Sequence, residues 1–176
     1  MQHIKLFEEY HDSDKPDYDV TLKGKTQLYH YTKYDLGDIA VLSPEETVKN
    51  RMSWSMRDYK RSDVPRVFYY LDLENTERDI VSLSKNLYTG FIDGREIIKV
   101  NNAIQSYRNN PEDLYANYPD VFNAVKGFVG KGSINFDLLL EDVRKIFKGA
   151  YYKFDNGMEV VILFQPLEVY KIDYTS

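Results

Sequence analysis

"AYYKFDNGMEVVILFQPLEVYKID", Ala150–Asp173, is the stretch whose reading decides the fold. Two runs of β-forming residues meet at Asn156-Gly157, a pair that tolerates the positive φ angles of a tight turn. Pro166 closes the second run, because a residue without an N–H cannot continue a paired strand, and a third run follows. The order is strand, turn, strand, proline, strand.

The front half carries related signals. "TQLYHYT" (Thr26–Thr32) alternates and is rich in β-formers, "IAVLSP" (Ile39–Pro44) is a short extended piece, and "PRVFYYLDL" predicts a strand from Arg66 to Leu71. "YTGFIDGREIIKV" (Tyr88–Val100) predicts a hairpin turning at Asp93-Gly94. Ser43, Pro44 and Glu46 fit N-cap, N1 and N3 of a helix with a capping box. "ENTERDIVSLSKNL" (Glu74–Leu87) predicts a helix with Ile80, Leu83, Ser84 and Leu87 on one stripe.

The middle, Asn101 to Val129, is helical, with a start at Asn110-Pro111 and an interruption at Pro119. "GKGS" (Gly130–Ser133) is a loop. Asn135 then caps "FDLLLEDVRKIFK", whose Leu139, Val143, Ile146 and Phe147 share a stripe, and Gly149 is placed as the helix stop. Strands flanking a helical middle predict an α+β fold with a mixed or antiparallel sheet.

Composition narrows the class. The 176 residues are 43% hydrophobic and 29% charged, which suits one globular domain with a real core. No apolar run approaches the ~20 residues of a membrane-spanning helix, and the start has no h-region of a secretory signal, so no membrane partner is expected. The absence of cysteine excludes disulfides, thiolate metal sites and a cysteine nucleophile. Three scattered histidines give no dedicated metal site, and neither a phosphate loop nor a dinucleotide turn is present.

The net charge of −5 makes a broad phosphate-binding face unexpected, so nucleic acid is a disfavoured partner. Arg51, Arg57, Lys60, Arg61 and Arg66 form a local basic cluster, whose ordinary reading is a solvated loop. Sixteen tyrosines suit both a binding surface and an ordinary sheet.

Residues 1–24 read as a leader and linker, and residues 25–176 as one domain, with the folded part beginning near Val20 or Lys25. Ile4, Phe7 and Tyr10 recur along a short amphipathic segment, and the polar "HDSDKPDYD" (His11–Asp19) follows.

Three strand motifs stand out. "LYHYT" (Leu28–Thr32) puts His30 and Thr32 on one side of a strand. "RVFYYLD" (Arg66–Asp72) puts Phe68 and Tyr70 on one face and Tyr69 on the other. "DNGMEVVILFQPLEVYKI" places Glu159 after a tight turn, at the mouth of an apolar strand. In this order they resemble the ADP-ribosyltransferase fold family, in its histidine–tyrosine–glutamate branch. That family opens on a strand close to Leu-Tyr-His-Gly-Thr and continues with a Val-Phe-aromatic strand. It closes on a turn, a glutamate, an apolar strand, a proline and a short last strand. The resemblance spans Gln27 to Asp173. Tyr31 stands where the family commonly has glycine. Gly157, two residues before Glu159, leaves out the Glu-x-Glu or Gln-x-Glu element of arginine-modifying members.

The resemblance implies NAD as substrate and transfer of ADP-ribose to a macromolecule, with a host protein as the expected acceptor. It implies catalytic roles for Glu159 and His30 and NAD contacts from His30, Thr32, Phe68 and Tyr70, with either Phe68 or Tyr70 stacking on nicotinamide. No metal is implied. Each residue also has an ordinary reading: a strand histidine satisfied by a neighbouring carbonyl, core aromatics, and a solvated carboxylate at a strand start.

"MQHIKLFEEY" (Met1–Tyr10) resembles the leaders of some tailed-phage proteins, cut after a Leu-x-Glu site such as "LFE" (Leu6–Glu8). It implies a protein carried in a virion and acting in the host cytoplasm. Its ordinary reading is a frayed helix. The rival functions are a non-enzymatic virion or host-interaction protein and a phosphate transferase acting on nucleic-acid ends.

Overall fold

The structure is a computed structural model that describes residues 19–46, 64–73, 85–130 and 136–173. The described strands are β1 (Lys25–Thr32), β2 (Ile39–Leu42), β3 (Val67–Tyr70), β4 (Asn86–Asp93), β5 (Ile97–Lys99), β6 (Gly149–Lys153), β7 (Glu159–Leu163) and β8 (Leu167–Ile172). They join in one sheet of order β2-β8-β4-β1-β3-β7-β6-β5. Every neighbouring pair is antiparallel except β5 with β6, so the sheet is mixed, and the fold is α+β as expected.

The connection from β4 to β5 shows that the sheet is not flat. Five strand spacings separate the two in the sheet order, roughly 24 Å in a flat sheet. Only Gly94–Glu96 joins them, and the four Cα steps involved reach about 15 Å at most. The far edge must therefore curl back toward the middle. Residues 20–22 bind it there: Leu22 N–H donates to Ile97 O at 3.1 Å, Lys99 N–H to Val20 O at 2.7 Å, and Thr21 bridges Ile98.

The curl creates two cores. One is lined by strands alone and draws buried residues from all eight, among them Leu28, Leu42, Tyr69, Tyr88, Ile97, Tyr151, Val161 and Val169. The other lies under the helices α1 (Val100–Asn109), α2 (Pro111–Asn117), α3 (Pro119–Gly130) and α4 (Phe136–Val143). There Val121, Val125, Leu139 and Leu140 meet Ile98, Ala150, Val160 and Ile162 from the sheet.

Several expectations hold for plain reasons. Asn156 Oδ1 accepts from Met158 N–H at 3.0 Å and Gly157 takes φ +89°, so the Asn-Gly pair does turn β6 into β7. Pro111 begins α2 behind the Asn110 cap, and Pro119 begins α3.

Others are corrected. Asp93-Gly94 does not turn a hairpin. Asp93 caps a single 3-10 turn, and β5 leaves β4 to pair in parallel with β6. Gly94 is needed for space, since a Cβ would stand 2.8 Å from Thr26 Oγ1 and 2.9 Å from Leu22. Gly149 is not a helix stop but the first residue of β6, where a Cβ would lie 2.6 Å from Ile162 O. The last helix ends at Val143, and Ile146, expected on its apolar stripe, is exposed. Asn86 and Leu87, expected to end a helix, belong to β4. Of the two starts that the sequence allows, Val20 and Lys25, Val20 is already buried against the helices.

Residues 44–46 are helical, and the Ser43 hydroxyl donates to Glu45 Oε2 at 2.9 Å. The leader, the basic residues Arg51, Arg57, Lys60 and Arg61, and the body of the 74–87 helix lie outside the described residues. No described helix is long and apolar enough to cross a membrane.

Candidate functional site

Register decides which side chains share a face. Tyr29 pairs with Tyr70, Tyr69 with Val161, and Tyr151 with Val161. Side chains alternate along each strand, and paired residues point the same way. His30, Thr32, Tyr69, Tyr151 and Glu159 thus emerge on the strand-lined face. Tyr29, Tyr31, Phe68 and Tyr70 emerge on the helix-bearing face.

Two expected NAD contacts therefore do not join the others. Phe68 and Tyr70 pack against the helix-side core, away from His30 and Glu159. The physical reason is the one-residue alternation of β3, which turns both aromatics to the side that Tyr29 faces. The aromatic on the side of His30 is Tyr69, its ring centroid 5.7 Å from that of His30. The sequence placed Tyr69 opposite Phe68 and Tyr70, but only the pairing with β1 shows which face holds the histidine. Tyr31, at the family's glycine position, turns to the helix-bearing face and packs edge-on against Tyr70 at 5.9 Å.

His30 marks an opening in the sheet. Only Tyr29 and Tyr70 pair between β1 and β3, although β1 is eight residues long and β3 four. Leu71 N–H points to β7, where it reaches Glu159 O, so by alternation the carbonyl of Phe68 points to β1. His30 Nδ1 lies 2.8 Å from that carbonyl. A carbonyl only accepts, so Nδ1 carries the proton, and in the neutral ring Nε2 is the acceptor nitrogen. The side chain does in this seam what a backbone N–H would do in a continued ladder. The ordinary reading of a strand histidine bonded to a neighbouring carbonyl thus holds for Nδ1.

Glu159 opens β7, two strands from β1, and is half-buried rather than solvated. Ideal spacings put its Cα on the order of 12 Å from that of His30, across the Tyr69 position. The Tyr151 hydroxyl donates to Glu159 Oε1 at 2.7 Å. Burial first, and this bond second, push the Tyr151 phenol well above its ordinary range. Thr32 shares the His30 face one step further along β1, and its hydroxyl accepts from Tyr34 N–H at 3.1 Å, which closes the following turn.

Tyr69 is fully buried, and its hydroxyl has no hydrogen-bond partner among the described residues. Burial drives its phenol far above the usual value. An unmet buried hydroxyl costs about 1–3 kcal/mol, so its presence between His30 and Glu159 is a cost that the packing alone does not explain.

Comparison with protein-family models, with curated proteins and with solved structures finds no match for this chain.

Proposed function

We propose that this chain binds NAD on the strand-lined face between β1 and β7 and transfers ADP-ribose from it to a macromolecule. The observation that carries the reading is the convergence of His30 and Glu159 on one face, on the two strands that flank β3, beside a seam held by one residue pair. The motif order along the chain supports it.

The residue types suit the chemistry. The bond between ribose C1′ and the nicotinamide nitrogen breaks, and its electron pair leaves with nicotinamide. The sugar becomes oxocarbenium-like, and a carboxylate at Glu159 stabilises the growing positive charge. The acceptor's nucleophile then bonds C1′ and gives up its proton. His30 borders the ribose in this reading, its ring orientation held by the Nδ1 bond to Phe68 O. Tyr69, not Phe68 or Tyr70, is the aromatic on the His30 face, and its fully buried ring packs against the imidazole beneath the proposed site.

The test is NAD titration against thermal unfolding and calorimetry, followed by transfer of labelled ADP-ribose to protein and nucleic-acid acceptors. Ligand binding to the native state raises the melting temperature by mass action. A shift with NAD, binding heat, and labelling that Glu159→Gln abolishes are the expected results. No shift, no heat and no labelling would overturn the proposal and favour a non-enzymatic interaction protein.

A further inference from the structure

We infer that Tyr151 is a positioning residue for Glu159, and this rests on the proposed NAD chemistry. Tyr151 and Glu159 sit on neighbouring strands and one face, but they are not directly opposite. Glu159 pairs with Lys153 and Tyr151 with Val161, so the two are diagonal neighbours. A tyrosine is long enough to span that diagonal. Its hydroxyl reaches Glu159 Oε1 at 2.7 Å, while its ring is buried in the strand-lined core and only 8% exposed. The ring is thereby locked by packing, and the lock passes to the carboxylate through one hydrogen bond.

The bond has a direction that matters for chemistry. The phenol is kept protonated, so it donates and Glu159 accepts. The donor held on Oε1 sets the plane and rotamer of the carboxylate that would stand beside the positive sugar. The same bond occupies Oε1 and leaves Oε2 for the ligand in this scheme. Tyr151 therefore fixes which oxygen works and in what orientation. The neighbouring Tyr152 cannot do the same, since it lies on the opposite face with the helix-side core.

The experiment uses the full chain and the variants Tyr151→Phe, Glu159→Gln and the double variant. NAD turnover is read as nicotinamide release, and stability is read by urea unfolding. Tyr151→Phe keeps the ring and removes only the donor. Its expected effect is a fall in kcat of about tenfold or somewhat more, the loss of one hydrogen bond to a charged group, with KM for NAD unchanged. In the Glu159→Gln background the same change lowers kcat no further, because Tyr151 acts only through the carboxylate. The two single changes also couple in the unfolding equilibrium.

A merely structural tyrosine would couple in unfolding but leave kcat alone, or would lower KM-linked binding and turnover together. Either result overturns the inference. Additive rate losses in the double variant overturn it as well. If the wild type releases no nicotinamide and NAD does not bind, the proposed function falls and the inference falls with it, while the unfolding cycle still reports the contact. Wild-type turnover with an unimpaired Tyr151→Phe variant overturns the inference alone.

Discussion

His30 Nδ1 stands 2.8 Å from the carbonyl of Phe68, where the ladder between β1 and β3 would otherwise continue. One side chain thus holds two strands together at the place where their backbones part. The arrangement fixes the tautomer of the ring and its orientation at once. It also means that the same histidine serves the fold and the proposed site.

His30→Ala should therefore act on both. Losing one half-buried hydrogen bond costs about 1 kcal/mol, to be read from urea unfolding. NAD affinity should fall as well, to be read by calorimetry. Nitrogen NMR of the neutral ring should find the proton on Nδ1. A ring protonated on Nε2 would break the relation with Phe68.

Glu159→Gln should lower the rate of nicotinamide release by on the order of 10²–10³, as for other lost electrostatic contacts in a transition state. Because Glu159 is half-buried and bonded to Tyr151, its stability effect should exceed that of an exposed carboxylate. Replacing a charged acceptor by a neutral amide should cost about 1 kcal/mol. An unchanged unfolding midpoint would show that the Tyr151 bond contributes nothing in solution.

Tyr69→Phe should stabilise the protein. It removes a buried hydroxyl that lacks a partner among the described residues and leaves the ring in place. The expected gain is about 1 kcal/mol, or roughly 2–4 °C in melting temperature. A lower melting temperature would mean that the hydroxyl is satisfied in solution.

Alkaline stability follows from the two raised phenols, Tyr69 and Tyr151. Burial is the first cause of both shifts. Below pH ~10, the value of an unperturbed tyrosine, their contribution to stability is fully present. Above it the unfolded chain ionises while the folded phenols stay neutral, so stability falls as pH rises toward the folded values. The decline above pH ~10 should be shallower in Tyr69→Phe than in the wild type, as measured by urea unfolding across that range.

Gly149→Ala should destabilise the fold by about 1–3 kcal/mol through overpacking. The new Cβ would meet Ile162 O and Leu163 Cδ2 at 2.6 Å and Ile97 Cδ1 at 2.9 Å. Gly157→Ala should also destabilise, through strain at φ +89° rather than crowding, since nothing lies within 4 Å there. Circular dichroism melts of both variants separate the two effects from wild type.

The sequence by itself determined the local elements and their order. Alternation marks β1, a run of β-forming residues marks β3, Asn156-Gly157 turns β6 into β7, and Pro111 and Pro119 start helices, because each of these signals acts within a few residues. The α+β class follows from that order. The candidate residues His30 and Glu159 were legible too, as polar groups set into apolar strands. What only the tertiary structure decided is how strands far apart in the chain pair. Asp93-Gly94 has the chemistry of a hairpin, yet β5 pairs with β6, some fifty residues onward, because Gly94 packs against Thr26 and Leu22 and the sheet curls there. Gly149 has the chemistry of a helix stop, yet its small size serves the approach of β7. The face of each aromatic in "VFYY" depends on a register between β1 and β3 that no local signal encodes. A shift of one residue exchanges Tyr69 for Phe68 and Tyr70, and only the Tyr29–Tyr70 pair settles it.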